Sequence, residues 1–256
     1  MFLLCLCGEK NIIMKQDVNK AMILAAGLGT RLKPWTDHHP KALAIVNGKS
    51  LLQRNVEYLQ QHNIYDVIVN VHHFADQIIQ TIEINKGWGS NITISDETNE
   101  VLETGGGLQK AAWDFKDSSF VLMNVDVLTD LDLSTMLHNH KQSGALATLA
   151  VTNRETSRYF LFDKENRLHG WRNVKTGEEK PQPLPNISLT PKAFSGIHVI
   201  SNSFFSLIKQ QGKFSMVDVY LDLCSSHAIQ SFDHSGNKFI DVGKPESITK
   251  AEQMFS

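Results

Sequence analysis

Ala21-Met22-Ile23-Leu24-Ala25-Ala26-Gly27-Leu28-Gly29-Thr30-Arg31-Leu32 is the stretch whose reading decides the fold. An apolar strand, read as Ala21 to Ala25, breaks at once into a loop with two glycines, a threonine and an arginine. Glycine lets the backbone turn sharply and approach a ligand, so that successive N–H groups face phosphate oxygens. Arg31 here, and Lys41 after Pro40, place positive charge beside such a loop. Two familiar glycine loops are excluded. A dinucleotide fingerprint requires a third Gly or Ala where Leu32 stands, and a Walker A loop requires Gly-Lys-Ser/Thr where Gly29-Thr30-Arg31 stands.

Outward from this loop, the first half alternates apolar runs with amphipathic segments, the rhythm of an α/β protein with a mainly parallel sheet. Leu51, Leu52, Val56 and Leu59 repeat at helical spacing behind Ser50, a natural N-cap. Asp66 to Val71 reads as a buried strand, 74–84 as a helix and 91–95 as a strand. The Glu103-Thr104-Gly105-Gly106-Gly107 cluster is expected to open a helix over 108–113. Ser119 to Asp126 is a strand ending in a carboxylate, followed by a helix over 133–143 and a strand over 145–152. Beyond residue 150 the pattern predicts an antiparallel pair, 159–162 with 167–171, and a polar Pro-rich loop over 175–191. Strands over 193–200, 229–233 and 238–241 follow, with helices over 215–224 and 245–254. The expected fold is α/β and Rossmann-like, its mainly parallel sheet flanked by helices and joined to a small antiparallel substrate region. One domain over 20–256 is expected, with a nucleotide-binding half to about 150 and a substrate half after it.

Composition narrows the partners. The 256 residues are 41% hydrophobic and 20% charged with net charge -2, so no global field attracts nucleic acid or an anionic membrane. Positive potential must be local, at Arg31, Lys33 and Lys41, which suits a small anionic substrate. Cys5, Cys7 and Cys224 make neither a disulfide framework nor a zinc spacing, which points to a reducing, cytoplasmic setting. Residues 1–19 read as a disordered leader, or as a mis-assigned one if Met14 is the natural start. No segment reaches the roughly 18–20 apolar residues of a membrane span.

The extended pattern L-A-A-G-x-G-T-R-L-x-P with Pro40-Lys41-Ala42-Leu43 resembles the nucleotidyltransferases that join a nucleoside triphosphate to a sugar 1-phosphate. Asn124-Val125-Asp126 through Asp130 resembles the family's N-G-D-x-x-x-D segment, with Val125 in place of its glycine. Phe239-Ile240-Asp241-Val242-Gly243-Lys244-Pro245 resembles its W-x-D-[VI]-G-T-P ending. Together these matches span residue 20 to about 253, in the family's order.

The resemblance implies that Leu24, Ala25, Ala26, Gly27, Gly29, Thr30, Arg31 and Lys41 hold the triphosphate, with Arg31 and Lys41 acting in catalysis. It implies that Thr104 and Gly105 meet the base, Asn124 and Gly196 the sugar phosphate, and Asp126 and Asp241 a Mg²⁺ ion. Two aspartates suffice for Mg²⁺, whose shell is completed by water and substrate phosphates. Leu102-Glu103-Thr104-Gly105-Gly106-Gly107 and Phe194-Ser195-Gly196-Ile197 resemble members that uridylylate N-acetylmuramate 1-phosphate in bacterial cell-wall recycling. UTP is therefore the favoured nucleotide. GTP with mannose 1-phosphate, and UTP or dTTP with glucose 1-phosphate, are the runners-up. The family's Lys on the sugar phosphate matches either Lys180 or, by position, Asn173.

Two other classes fit the pattern less well. A silent sugar-nucleotide sensor would be signalled by loss of Arg31, Lys41, Asp126 or Asp241, and all four are present. A dehydrogenase is opposed by Leu32 and by the lack of an acidic residue ending the second strand. His38-His39 and His72-His73 lack further ligands at metal spacing and read as loop-shaping residues. A homo-oligomer is left open.

Overall fold

The structure is a computed structural model and describes residues 18–116 and 118–256. The expectations for the leader, for Met14 and for Cys5 and Cys7 lie outside the described residues. Strand β1, Lys20–Leu24, is followed by short 3₁₀ turns, the two-residue strands β2 (Ile45–Val46) and β3 (Lys49–Ser50), and helix α1, Leu51–Gln61. Then come β4 (Asp66–Val71), α2 (Ala75–Ile84), β5 (Asn91–Asp96), α3 (Glu103–Lys110), β6 (Phe120–Asn124) and β7 (Val127–Thr129). Helix α4 (Leu133–Ser143) and β8 (Ala147–Thr152) lead into β9 (Arg158–Phe162), β10 (Leu168–Asn173), β11 (Glu178–Lys180) and β12 (Thr190–Ile200). The chain closes with α5 (Met216–Leu223), β13 (Ile229–Asp233), β14 (Phe239–Asp241) and α6 (Pro245–Met254).

A mixed sheet organises the molecule. Its centre, β6-β1-β4-β5, is parallel, with Leu24 opposite Asn70 on one side and Asn124 on the other. The carboxyl ends of β1, β4 and β6 therefore share one edge, where open α/β sheets bind ligands. The long strand β12 runs antiparallel to β6, β8 and β9 at different points along its length, carrying the second half of the chain onto the same sheet. Beyond it, β9, β10 and β11 are antiparallel, whereas β13 pairs parallel with β8.

Burial follows the pleat. Ala21 and Ile23 pack on one face with residues of α1, α2 and α4, while Met22 and Leu24 pack on the other with residues of α3 and α5. Helix α1 starts where expected because the Ser50 side chain accepts the Gln53 N–H at 3.1 Å. Its Leu52, Val56 and Leu59 are fully buried, each stabilising the fold by roughly 1.5–3 kcal/mol. A third cluster joins Leu32, Leu128 and Val242 beneath α6, fastening the glycine loop to the β7–β14 ribbon.

Two expectations need correction. The helix after residue 102 begins at Glu103, with all three glycines inside it, and gives way to a 3₁₀ turn over Ala112–Asp114. Tertiary contact overrides glycine's poor helix propensity here. A Cβ on Gly105 would lie 2.4 Å from the Phe214 ring, and one on Gly106 would lie 2.1 Å from the Gly212 carbonyl oxygen. The Pro-rich stretch also contains β11, whose Glu179 pairs with Arg172 of β10 at 2.6 Å. Charged side chains hid this strand because it lies at the sheet's edge.

Candidate active site

The glycine loop leaves β1 and is held from beneath by Asn70 at the end of β4. Asn70 Oδ1 accepts the Ala25 N–H at 2.7 Å and the Ala26 N–H at 3.3 Å, and its Nδ2 donates to Glu97 Oε1 at 2.7 Å. Asn70 is 2% exposed. This bracket satisfies the first N–H groups of the loop and leaves the following ones for a ligand. Gly29 has φ +63°, and a Cβ there would lie 2.9 Å from Thr36 Cγ2 and 3.0 Å from Lys41 Cβ. Only glycine therefore lets the loop press against the segment carrying Lys41.

A cavity of ≈ 340 Å³ opens at this edge, within the range of small-ligand sites. Leu24, Ala25, Ala26, Gly27, Gly29, Thr30, Arg31, Lys41, Thr104, Asn124 and Asp126 line it, which brings together most of the residues singled out from sequence. Glu103, Val125 and Gly243, which lie in the quoted motifs without an assigned role, line it as well, as do Asn70, Glu97 and Val101, which were missed. Asn70, one residue before the end of β4, and Glu97, just after β5, lie in runs without a motif, so only their partners reveal them.

The charges are grouped. The Lys41 ammonium donates to Asp126 Oδ2, with both side chains largely enclosed. Asp241 is brought to the same place by the β7–β14 ribbon, in which it pairs with Val127 and the next residue, Val242, donates its N–H to the Asp126 carbonyl oxygen at 2.8 Å. Arg31 Nη2 lies 3.8 Å from Asp241 Oδ1. Burial, and then the charge of Asp126, raise the Asp241 carboxyl above its ordinary pKa, against the opposing pull of Lys41, Arg31 and Arg154. Two mutually repelling carboxylates fit a divalent cation, whose remaining positions water and phosphate oxygens would fill. Among the described residues no third His, Cys, Asp or Glu joins them as a ligand.

At the other end, Glu97 is 1% exposed, and its carboxyl is pushed above the usual range by burial despite the Asn70 and Leu102 hydrogen bonds. A Cβ on Gly107 would lie 2.6 Å from Glu97 Oε1, so α3 approaches this carboxylate as only a glycine-faced helix can.

Gly105, Gly196 and Asp241 lie outside the lining. Gly105 is spent on packing: its N–H donates to the Phe214 carbonyl at 2.9 Å, because α3 starts early and turns the glycines inward. Gly196, φ +75°, sits in the β12 bulge, where a Cβ would lie 2.7 Å from Asn124 Nδ2. Asp241 stands just past Gly243, beyond the cavity's rim. Neither Lys180 nor Asn173 lines the cavity. Lys180 Nζ stands 3.4 Å from Asp218, and the Asn173 side chain accepts the Lys175 N–H at 3.0 Å. His72 Nδ1 donates to the Glu97 carbonyl oxygen at 2.6 Å, as a loop-shaping residue would.

Fold and site together set a glycine loop, two cations and two aspartates at the carboxyl edge of an α/β sheet. The chain belongs to the nucleotidyl transferase family, whose model matches residues 20–255. It is 38% identical over 239 residues to a UTP–glucose-1-phosphate uridylyltransferase of Synechocystis, covering 88% of this chain and 60% of that protein. It is 40% identical over 115 residues to an N-acetylmuramate alpha-1-phosphate uridylyltransferase of Caulobacter vibrioides, covering 44% of this chain and 48% of that one. A mannose-1-phosphate guanyltransferase of Yarrowia lipolytica is 29% identical, covering 90% of this chain and 62% of that one. The chain thus spans about 60% of the length of the Synechocystis and Yarrowia relatives. The same fold occurs in HddC from Yersinia pseudotuberculosis complexed with GMP-PN, at TM-score 0.72 and 24% identity, covering 93% of this chain and all of that one. Among the described residues no helix is long and apolar enough to cross a membrane.

Proposed function

We propose that this chain transfers a nucleotidyl group from a nucleoside triphosphate to a sugar 1-phosphate and releases pyrophosphate, with UTP and N-acetylmuramate 1-phosphate as the favoured pair. The convergence of the Gly27–Thr30 backbone, Lys41, Asp126 and Asp241 at one sheet edge carries this reading. A phosphate oxygen of the sugar phosphate attacks the α-phosphorus, and in line with it the bond from that phosphorus to the oxygen bridging the α- and β-phosphates breaks, so that this oxygen leaves as a terminal oxygen of pyrophosphate. The nucleophile is already an anion, so no side chain need take a proton, and the work lies in alignment and charge neutralisation.

In this scheme Arg31 and the loop N–H groups bind the leaving phosphates, and Lys41 exchanges Asp126 for the phosphate being transferred. Asn124 and the bulge at Gly196 shape the acceptor side. Asp126 and Asp241 would hold Mg²⁺, which when bound supplies charge neutralisation at the phosphates. The uridylyltransferases among the relatives support UTP. A second nucleotide, GTP, is favoured by the guanyltransferase among the relatives and by Glu97: a buried carboxylate lining the cavity matches the two adjacent N–H donors of guanine, where uracil has one.

The test is a pyrophosphate-release screen of the four nucleoside triphosphates against a panel of sugar 1-phosphates. Release with UTP and N-acetylmuramate 1-phosphate upholds the favoured pair, and release only with another pair replaces it. Silence across the panel rejects the reading and returns the chain to a sugar-nucleotide sensor.

A further inference from the structure

We infer that Arg154 supplies the cation that receives the phosphate of the sugar 1-phosphate, an assignment that rests on the transfer reaction proposed above. The cavity's own cations are committed on the nucleotide side, Lys41 to Asp126 and Arg31 beside Asp241. An incoming phosphate carries negative charge towards two aspartates and a triphosphate, and needs a positive group on the opposite side. Lys180 faces Asp218 and Glu178, and Asn173 is used in its own turn, so neither is free for this.

Arg154 leaves the end of β8 and lies with its guanidinium carbon 5.1 Å from the centre of the Phe239 ring. Phe239 and Asp241 alternate along β14 and so share a face of that strand, which sets the guanidinium beside Asp241. The Asp241 carboxylate feels the Arg154 charge, yet no ion pair joins the two among the described residues. Arg154 Nη2 donates to the Phe194 carbonyl at 2.6 Å, immediately before the bulge that brings Gly196 against Asn124. The side chain is thus braced by stacking and by one hydrogen bond between the two elements that bound the acceptor side. Its remaining planar donors suit two phosphate oxygens at once.

The experiment uses the full chain with whichever pair the wild type turns over. Arg154→Met keeps an apolar stem over Phe239 and removes the charge, and Arg154→Lys keeps the charge and loses the fork. In Arg154→Met we expect KM for the sugar 1-phosphate to rise about 10- to 100-fold, as when a charge-assisted contact is lost. KM for the nucleotide should stay within about twofold, and Arg154→Lys should recover part of the loss. A thermal shift induced by the nucleotide alone, equal in wild type and variants, shows that the fold and nucleotide cavity are intact. An unchanged sugar-phosphate KM in a folded Arg154→Met overturns the assignment while leaving the reaction standing. Loss seen with an acidic sugar 1-phosphate but not with a neutral one also overturns it, and moves Arg154 to the sugar's carboxylate. A wild type that releases no pyrophosphate with any pair overturns both.

Discussion

Lys41 and Asp126, 85 positions apart in the chain, meet as an enclosed ion pair at the carboxyl edge of the sheet. In the proposed transfer this lysine exchanges its carboxylate for an arriving phosphate, which offers the ammonium an equivalent anion.

Lys41→Met should therefore act on the chemical step. We expect kcat to fall about 100- to 1,000-fold, the range for loss of one transition-state donor, with a smaller change in nucleotide KM. Steady-state kinetics with the nucleotide varied will check this, and a change confined to KM contradicts it.

Asp241→Ala and Asp126→Ala should each nearly abolish turnover. Asp241 is half-exposed, so its loss should leave the urea midpoint close to that of wild type. Turnover measured across a Mg²⁺ titration distinguishes weakened metal binding from collapse, and normal turnover in either variant removes these residues from the metal site.

Asn70→Ala removes the acceptor of the Ala25 and Ala26 N–H groups and the donor to Glu97 in one change. Leaving buried polar groups unpaired costs about 2–3 kcal/mol, and the loosened loop should raise nucleotide KM more than it lowers kcat. Urea denaturation alongside kinetics measures both effects. A variant as stable as wild type would mean that water replaces the amide.

Three buried histidines make the fold acid-sensitive. Burial lowers the pKa of His140 to about 4 and of His198 to about 3, and burial lowers His234 to about 4 against the pull of Asp233. The unfolded chain takes up these protons near pH 6.5, and the folded chain refuses them until far lower pH. Their contribution is complete above pH 6.5 and is lost as pH falls from there towards 4. Each imidazole should cost on the order of 1–3 kcal/mol over that span. Urea midpoints recorded between pH 7 and 5 should fall steadily, and a flat profile would contradict the burial of these rings.

Motifs carried by backbone requirements were legible in the chain: Gly29 and Lys41 declare the loop, and the Val-Asp-Val and Asp-Val-Gly segments declare two aspartates. Asn70, Glu97 and Arg154 were not legible, since an asparagine ending one strand and a glutamate following another look ordinary until their partners are known. Gly105 misled for a related reason. A Gly-Gly-Gly run reads locally as a loop that exposes backbone, yet Phe214 and Gly212 pack on it and make it one face of a helix.

Local patterning was enough to specify an alternating α/β chain, the place of its glycine loop and the cations and aspartates that gather beside it. Those depend on short-range periodicity, turn chemistry and charge. The meeting of Asp126 with Asp241, the bracing of the loop by Asn70 and the placing of Arg154 over Phe239 were settled by packing alone. Each joins segments far apart in the chain, and such contacts follow from strand pairing and core burial, which no local window of sequence contains.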